Sequence, residues 1–278
     1  MAGADVAIAA SDKAGSGLKA RVLTAIVLLP LALGALWLGG YPWAGLVAAA
    51  ILIMFSEWSA MLRLGGLIRR VGLAILAGAL LLMLLGSPAE SLILLGGGAG
   101  LAALFARKLQ PGSARATMAG ILYCGLPALA LVWLRGQPLG IYAVLVVLLS
   151  VWGADITAYF TGRAIGGPKL APAISPNKTW SGAIGGLAGA AALAALAGLI
   201  WPGYANPAGV MRLAAIAAPL AVVSILGDLF ESGLKRRAGV KDSGTILPGH
   251  GGVMDRLDGL VPAAVLGAGI FASTGWAG

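Results

Sequence analysis

Four carboxylates near the C-terminus are spaced for joint chemistry. Asp228 and Glu231 stand three residues apart, Asp255 and Asp258 repeat that spacing, and on a helix each pair shares a face. Acids drawn together repel one another unless a cation sits among them, and an all-oxygen donor set favours a hard ion such as Mg²⁺. The competing reading is direct neutralisation by Lys235, Arg236, Arg237 and Arg256. Both hold if the basic residues grip phosphates that the metal also touches. Between the two pairs, Lys235, Arg236, Arg237 and Lys241 are followed by Gly244, Gly249, Gly251 and Gly252. Positive charge and closely approachable backbone N–H groups make up a polyphosphate cradle. His250 lies between glycines with no Cys or second His nearby, which argues against zinc. A phosphate donor, a proton carrier and a structural role stay open for it.

A second polar patch runs from Asp155 through Tyr159, Gly162, Arg163 and Lys169 to Ser175, Pro176, Asn177, Lys178 and Thr179. Asp155 and Tyr159 are one helical turn apart. Prolines at 168, 172 and 176 hold the connection extended and delay the next helix until Thr179. Thr179 or Ser181 can cap that helix, and its N-terminus beside Ser175, Lys178 and Thr179 suits a phosphate. The plainer alternative is a capped turn carrying membrane-flanking lysines.

The elements that hold these residues are legible in composition. The 278 residues are 59% hydrophobic and 10% charged, with a mean hydropathy of +0.95. An ordinary soluble domain is about 25% charged, so a soluble globule is excluded. Unbroken apolar runs without alternation point to helices and not to an outer-membrane barrel. A span needs roughly 20 apolar residues, which predicts helices at about 22–40, 43–58, 71–86, 89–106, 117–134, 139–160, 180–201, 210–230 and 257–274. The fold expected is therefore all-α: a polytopic integral membrane protein of about nine transmembrane helices.

With nine spans, seventeen of the nineteen Lys and Arg fall on one side, only Arg135 and Arg212 opposing. The positive-inside tendency then places the N-terminus in the cytoplasm. The +9 net charge is thus a matter of topology, and nucleic acid is not an expected partner. Residues 1–21 read as a disordered cytoplasmic tail, 22–134 as N-terminal membrane helices, and 135–278 as a C-terminal catalytic half with cytoplasmic loops at 161–179 and 231–256. The first span reads as an uncleaved anchor. Cys124 reads as core filling. Gly96, Gly97, Gly98 and Gly100, and Gly182, Gly185, Gly186 and Gly189, read as sites of close helix approach. Ionisable groups at membrane depth are functional candidates by default. Apart from Asp5, Asp12 and Glu90, every acid falls at a predicted cytoplasmic helix end or loop. For Glu57, which has no acidic neighbour, a functional role and a solvated helix end are equally open.

Residues 232–258, SGLKRRAGVKDSGTILPGHGGVMDRLD, resemble the signature of the phosphatidate cytidylyltransferase (CDP-diacylglycerol synthase) family. The matching positions are Ser232, Lys235, Arg236, Lys241, Asp242, His250, Gly251, Gly252, Asp255, Arg256 and Asp258. The stretch from Asp155 to ISPNKTW at 174–180 resembles the family's second block. Ile156 and Thr157 replace its usual Thr-Gly pair, and Ser181 stands where an acid is common, so no role of that acid transfers. The first 115 or so residues resemble the family only in hydrophobicity.

The resemblance implies condensation of CTP with phosphatidic acid to CDP-diacylglycerol and pyrophosphate. It implies Mg²⁺ held at Asp228 and Asp255, with Glu231 and Asp258 nearby and a monovalent cation such as K⁺ as companion. Catalytic roles go to Asp228, Asp255, Lys241, His250 and Arg256. Substrate contacts go to Asp155, Tyr159, Arg163, Lys169, Ser175, Lys178, Thr179, Ser232, Lys235, Arg236, Asp242, Gly251 and Gly252. A homodimer in the bacterial inner membrane, its site facing the cytoplasm, is typical of the family. The rivals are a CTP-dependent polyprenol or phytol kinase and a secondary transporter. The transporter would carry its acids near the midplane, whereas here they cluster at one face.

Overall fold

The computed structural model describes residue 24 and residues 26–201, 203–247, 249 and 251–274. The expected N-terminal tail and His250 lie outside the described residues. Among the described residues ten helices form: α1 (Ile26–Leu38), α2 (Gly40–Met61), α3 (Gly66–Leu84), α4 (Pro88–Leu109), α5 (Ala114–Gly136), α6 (Gly140–Ile165), α7 (Trp180–Ile200), α8 (Pro207–Ala238), α9 (Met254–Leu257) and α10 (Leu260–Ser273). Each segment expected to span coincides with one of them. Seven, α2 to α8, are long and apolar enough to cross a membrane, while α1 and α10 are apolar but shorter. The chain is an all-α, polytopic membrane protein.

Three differences from the sequence expectation bear on the site. First, α8 runs on to Ala238, so Glu231, Ser232, Lys235, Arg236 and Arg237 sit on a helix and not in a 231–256 loop. Three basic residues in the last turn complement the helix dipole. Gly239 stops the helix in the left-handed region at φ 72°, where glycine carries no Cβ penalty. Second, the connection after α6 is a small antiparallel hairpin of β1 (Lys169–Ala171) and β2 (Ser175–Thr179), with Lys169 opposite Thr179 and Ala171 opposite Ser175. The prolines favour extended backbone, and a hairpin gives it partners. Third, Asp255 belongs to the four-residue α9 while Asp258 precedes α10, so the two acids do not share a long helix.

Helices α6 and α7 pack most intimately. A Cβ on Gly185 would strike Thr161, one on Gly189 would strike Thr157, and one on Gly182 would lie 2.9 Å from the Ala158 carbonyl. The close approach expected of this glycine row is present. In α4 only Gly98 is so placed, against Ile75, and nothing lies within 4 Å of a Cβ at Gly96, Gly97 or Gly100. Of the expected caps, Thr179 caps α7, accepting from Gly182 N. Ser181 Oγ instead donates to the Gly166 carbonyl.

At one face the α2–α3 turn meets the α4–α5 turn, Gln110 donating to Arg63 O at 3.0 Å and accepting from Gly65 N at 2.9 Å. At the other, Arg135 at the end of α5 donates to Leu36 O and Trp37 O at the end of α1. Successive helices therefore alternate direction, and the C-terminal ends of α2, α6 and α8 gather with the start of α10.

Candidate active site

Asp228 and Glu231 share a helix but not an environment. Asp228 is part-exposed, paired with Lys178 Nζ at 2.5 Å and accepting from Ser232 Oγ at 3.2 Å. Glu231 is fully buried. Its nearest cation is Lys235 Nζ at 3.3 Å, the Asp258 carboxyl lies beside it, and neither of its oxygens accepts a hydrogen bond among the described residues. Such a carboxylate costs several kcal/mol of desolvation unless a charge compensates it. Asp258 reaches this position because α8 lacks a side chain there: a Cβ on Gly227 would collide with Asp258 O, and one on Gly259 with Ser224 Oγ.

Lys235 turns from Glu231 toward Asp255, meeting its Oδ1 at 2.6 Å. Asp255 Oδ2 accepts from Ser243 N at 2.9 Å, Ser243 Oγ at 2.9 Å and Gly252 N at 2.8 Å. Burial works against its ionisation, but the Lys235 ammonium and these three donors outweigh it and hold the carboxyl below its ordinary value. One further acid enters from the N-terminal half. Glu57 of α2, 5% exposed, accepts from Val253 N and Met254 N at 2.9 Å each and from Ser243 Oγ at 3.3 Å.

The glycine-rich loop thus wraps its N–H groups around the protein's own carboxylates. Gly252 is buried and its N–H committed to Asp255, so the expected outward cradle at Gly252 is turned inward. Lys241, Asp242, Arg236 and Arg256 are exposed, and Gly251 is half-buried. The neutralisation reading is met in part: Lys235 pairs with Glu231 and Asp255, and Asp228 is paired with Lys178, which was not among the expected partners. Arg236 and Arg237 point to solvent.

In the second patch, Lys178 is brought to the site, Thr179 is buried as the cap of α7, and Asp155 lines a cleft together with Arg256 and Asp258. Tyr159 and Arg163 bond to each other at 2.9 Å on an exposed surface. Lys169 is exposed on β1, and Ser175 is half-buried on β2. Glu57 is thus no solvated helix end, the alternative left open for it, whereas Tyr123 of α5 was invisible in the sequence. Its ring stacks between Trp58 and Phe230, and its hydroxyl is buried without a hydrogen-bond partner among the described residues, within electrostatic range of Glu231 and Asp258. A lone Tyr in an apolar run carries no periodic or motif signal.

The cleft holds about 230 Å³. It runs from Leu33 of α1 and Trp43 and Met54 of α2, past Leu131 of α5 and Trp152 of α6, to Asp155, Arg256 and Asp258. Its walls are apolar except at that end.

The profile of the cytidylyltransferase family matches residues 19–273, nearly the whole chain. The chain belongs to that family. Among similar curated relatives, the phosphatidate cytidylyltransferase of Brucella abortus is 44% identical over 256 residues, covering 90% of this chain and 92% of its own. That of Pseudomonas aeruginosa is 40% identical over 282 aligned positions, covering 93% and 98%. For the Haemophilus influenzae enzyme, 45% identity extends over 132 residues, 45% and 43% of the two chains. Similarity to the cytidylyltransferases therefore extends through the N-terminal helices, where no motif was recognisable.

The family implies a divalent metal. Among the described residues no three acidic, His or Cys side chains are gathered into a ready cage. The donor chemistry nevertheless fits: Asp228, Glu231, Asp255 and Asp258 supply only oxygens, and buried Glu231 is balanced by the single Lys235 ammonium that it shares with Asp255. A hard cation suits such a set.

Proposed function

We propose that the chain is a phosphatidate cytidylyltransferase, transferring the cytidylyl group of CTP to phosphatidic acid and releasing pyrophosphate. The observation that carries this reading is the cleft: an apolar channel suited to acyl chains, ending at Arg256 and an acidic cluster suited to a phosphate headgroup and metal. A lipid phosphate oxygen attacks the α-phosphorus of CTP as the bond from that phosphorus to the β-phosphate bridging oxygen breaks. The attacking oxygen is already anionic at neutral pH, so neither a strong general base nor a covalent nucleophile is needed. The work left to the protein is alignment and charge neutralisation.

Asp228 and Asp255, backed by Glu231 and Asp258, would hold Mg²⁺, with K⁺ as companion. When bound, such an ion would supply charge neutralisation to the substrate phosphates. Lys178 and Lys235, which pair with these acids, are suited by charge and position to substrate phosphates. Exposed Arg236, Lys241 and Arg256 are suited to the triphosphate. The basic residues concentrated at this face support a site opening to the cytoplasm from the bacterial inner membrane. A homodimer rests on the family resemblance alone.

The test is purified protein in detergent micelles with phosphatidic acid, Mg²⁺ and CTP labelled at one phosphate. Label from the α-phosphate is expected in lipid. Label from the γ-phosphate instead would favour the kinase reading and overturn this one.

A further inference from the structure

We propose that Glu57 is a positioning residue: from the N-terminal half it clamps the loop that presents Asp255, and so sets the geometry of the C-terminal site. The inference rests on the functional reading above for its effect on turnover, but the clamp itself is independent of it.

The geometry is that of a built socket. Glu57 is buried at the end of α2, and its carboxylate receives the N–H groups of Val253 and Met254 and shares the Ser243 hydroxyl with Asp255. Two glycines make room for it. A Cβ on Gly244 would lie 2.5 Å from Glu57 Oε1, and one on Gly252 would lie 2.7 Å from both carboxylate oxygens. Its hydrogen bonds come from neutral donors, and a carboxylate binds such donors about twice as strongly as a neutral acceptor does.

Glu57 and Asp255 thus hold opposite sides of one loop, joined through Ser243. Removing the Glu57 charge frees two backbone N–H groups next to Asp255 and loosens the Ser243 hydroxyl. Glu57 is too buried to meet CTP or the lipid headgroup. Its influence on the reaction must pass through the loop.

Two variants break the socket from opposite sides. Glu57→Gln keeps the shape and removes the charge. Gly244→Ala leaves Glu57 intact and pushes the loop off it. In both, amide exchange across residues 241–256 should accelerate at least about tenfold, as local opening no longer breaks charge-assisted bonds. The kcat should fall by about 10- to 100-fold, the loss expected of a misplacement near 1 Å, while KM for CTP changes less than about threefold. Exchange and kcat within twofold of wild type in both variants would overturn the proposal. So would a kcat loss without faster exchange. Should Glu57→Gln not accumulate as folded protein, Gly244→Ala and Ser243→Ala carry the same test. Wild-type protein without cytidylyltransferase activity would sink the functional reading while leaving the exchange result to decide the clamp.

Discussion

The loop from Gly239 to Leu257 is tied down through its backbone, with Glu57 and Asp255 taking up the N–H groups of Ser243, Gly252, Val253 and Met254. The β1–β2 hairpin reaches the rest of the protein differently, through side chains at its base: Lys178 on Asp228 and Thr179 at the start of α7. Buried anions gripping a backbone fix its path whatever its own side chains do. Side-chain anchors at a part-exposed surface can be exchanged for substrate. The function proposed above gives the loop the task of holding charge in place and the hairpin that of receiving a phosphate.

Breaking the loop should therefore cost most. Asp255→Asn should lower turnover by about 10³-fold, the upper end for loss of one preorganised electrostatic contact, with the protein still monodisperse in detergent. Near-normal turnover would remove Asp255 from the centre. Next, Lys235→Met leaves buried Glu231 and Asp255 without their shared cation. Losing one partner of a buried pair costs about 3–5 kcal/mol, so a clear fall in Tm is expected in thermal unfolding, where an exposed lysine would show none.

Effects at the hairpin should be smaller and of another kind. Lys178→Ala should raise KM for substrate with little change in stability, since a part-exposed pair contributes about 0–1 kcal/mol. Unchanged KM and kcat would reduce the hairpin to a capped turn. Smallest is Thr179→Ala, which removes one N-cap at a cost of about 1 kcal/mol, read as a slight drop in Tm at full kcat.

How much of this the sequence carried depends on the range of the interaction. Hydropathy located every long helix, because a span must satisfy its backbone internally and so prints about 20 apolar residues in a row. It ended α8 too early, since charges lower hydropathy but leave the helix intact out to Gly239. The charged residues of the loop were readable because Lys241, Asp242, Asp255 and Arg256 crowd one short stretch. What they touch was not. The loop N–H groups looked available for a substrate anion, yet Glu57 fills that role from 196 residues away. Glu57 stood out only as an acid at a helix end, with nothing adjacent to say what it binds, and Tyr123 carried no mark at all. Pairings across such separations leave no local spacing to recognise.

That separation also orders assembly. Glu57 leaves the ribosome long before Val253 and Met254 exist, and α3 to α8 must be inserted before its carboxylate finds its donors. Chains are made and folded from the N-terminus onward, so this socket is among the last features to close. A chain stopped after α8 would carry Asp228, Glu231 and Lys235 intact and still be idle, its second helix ending in an acid with nothing to hold.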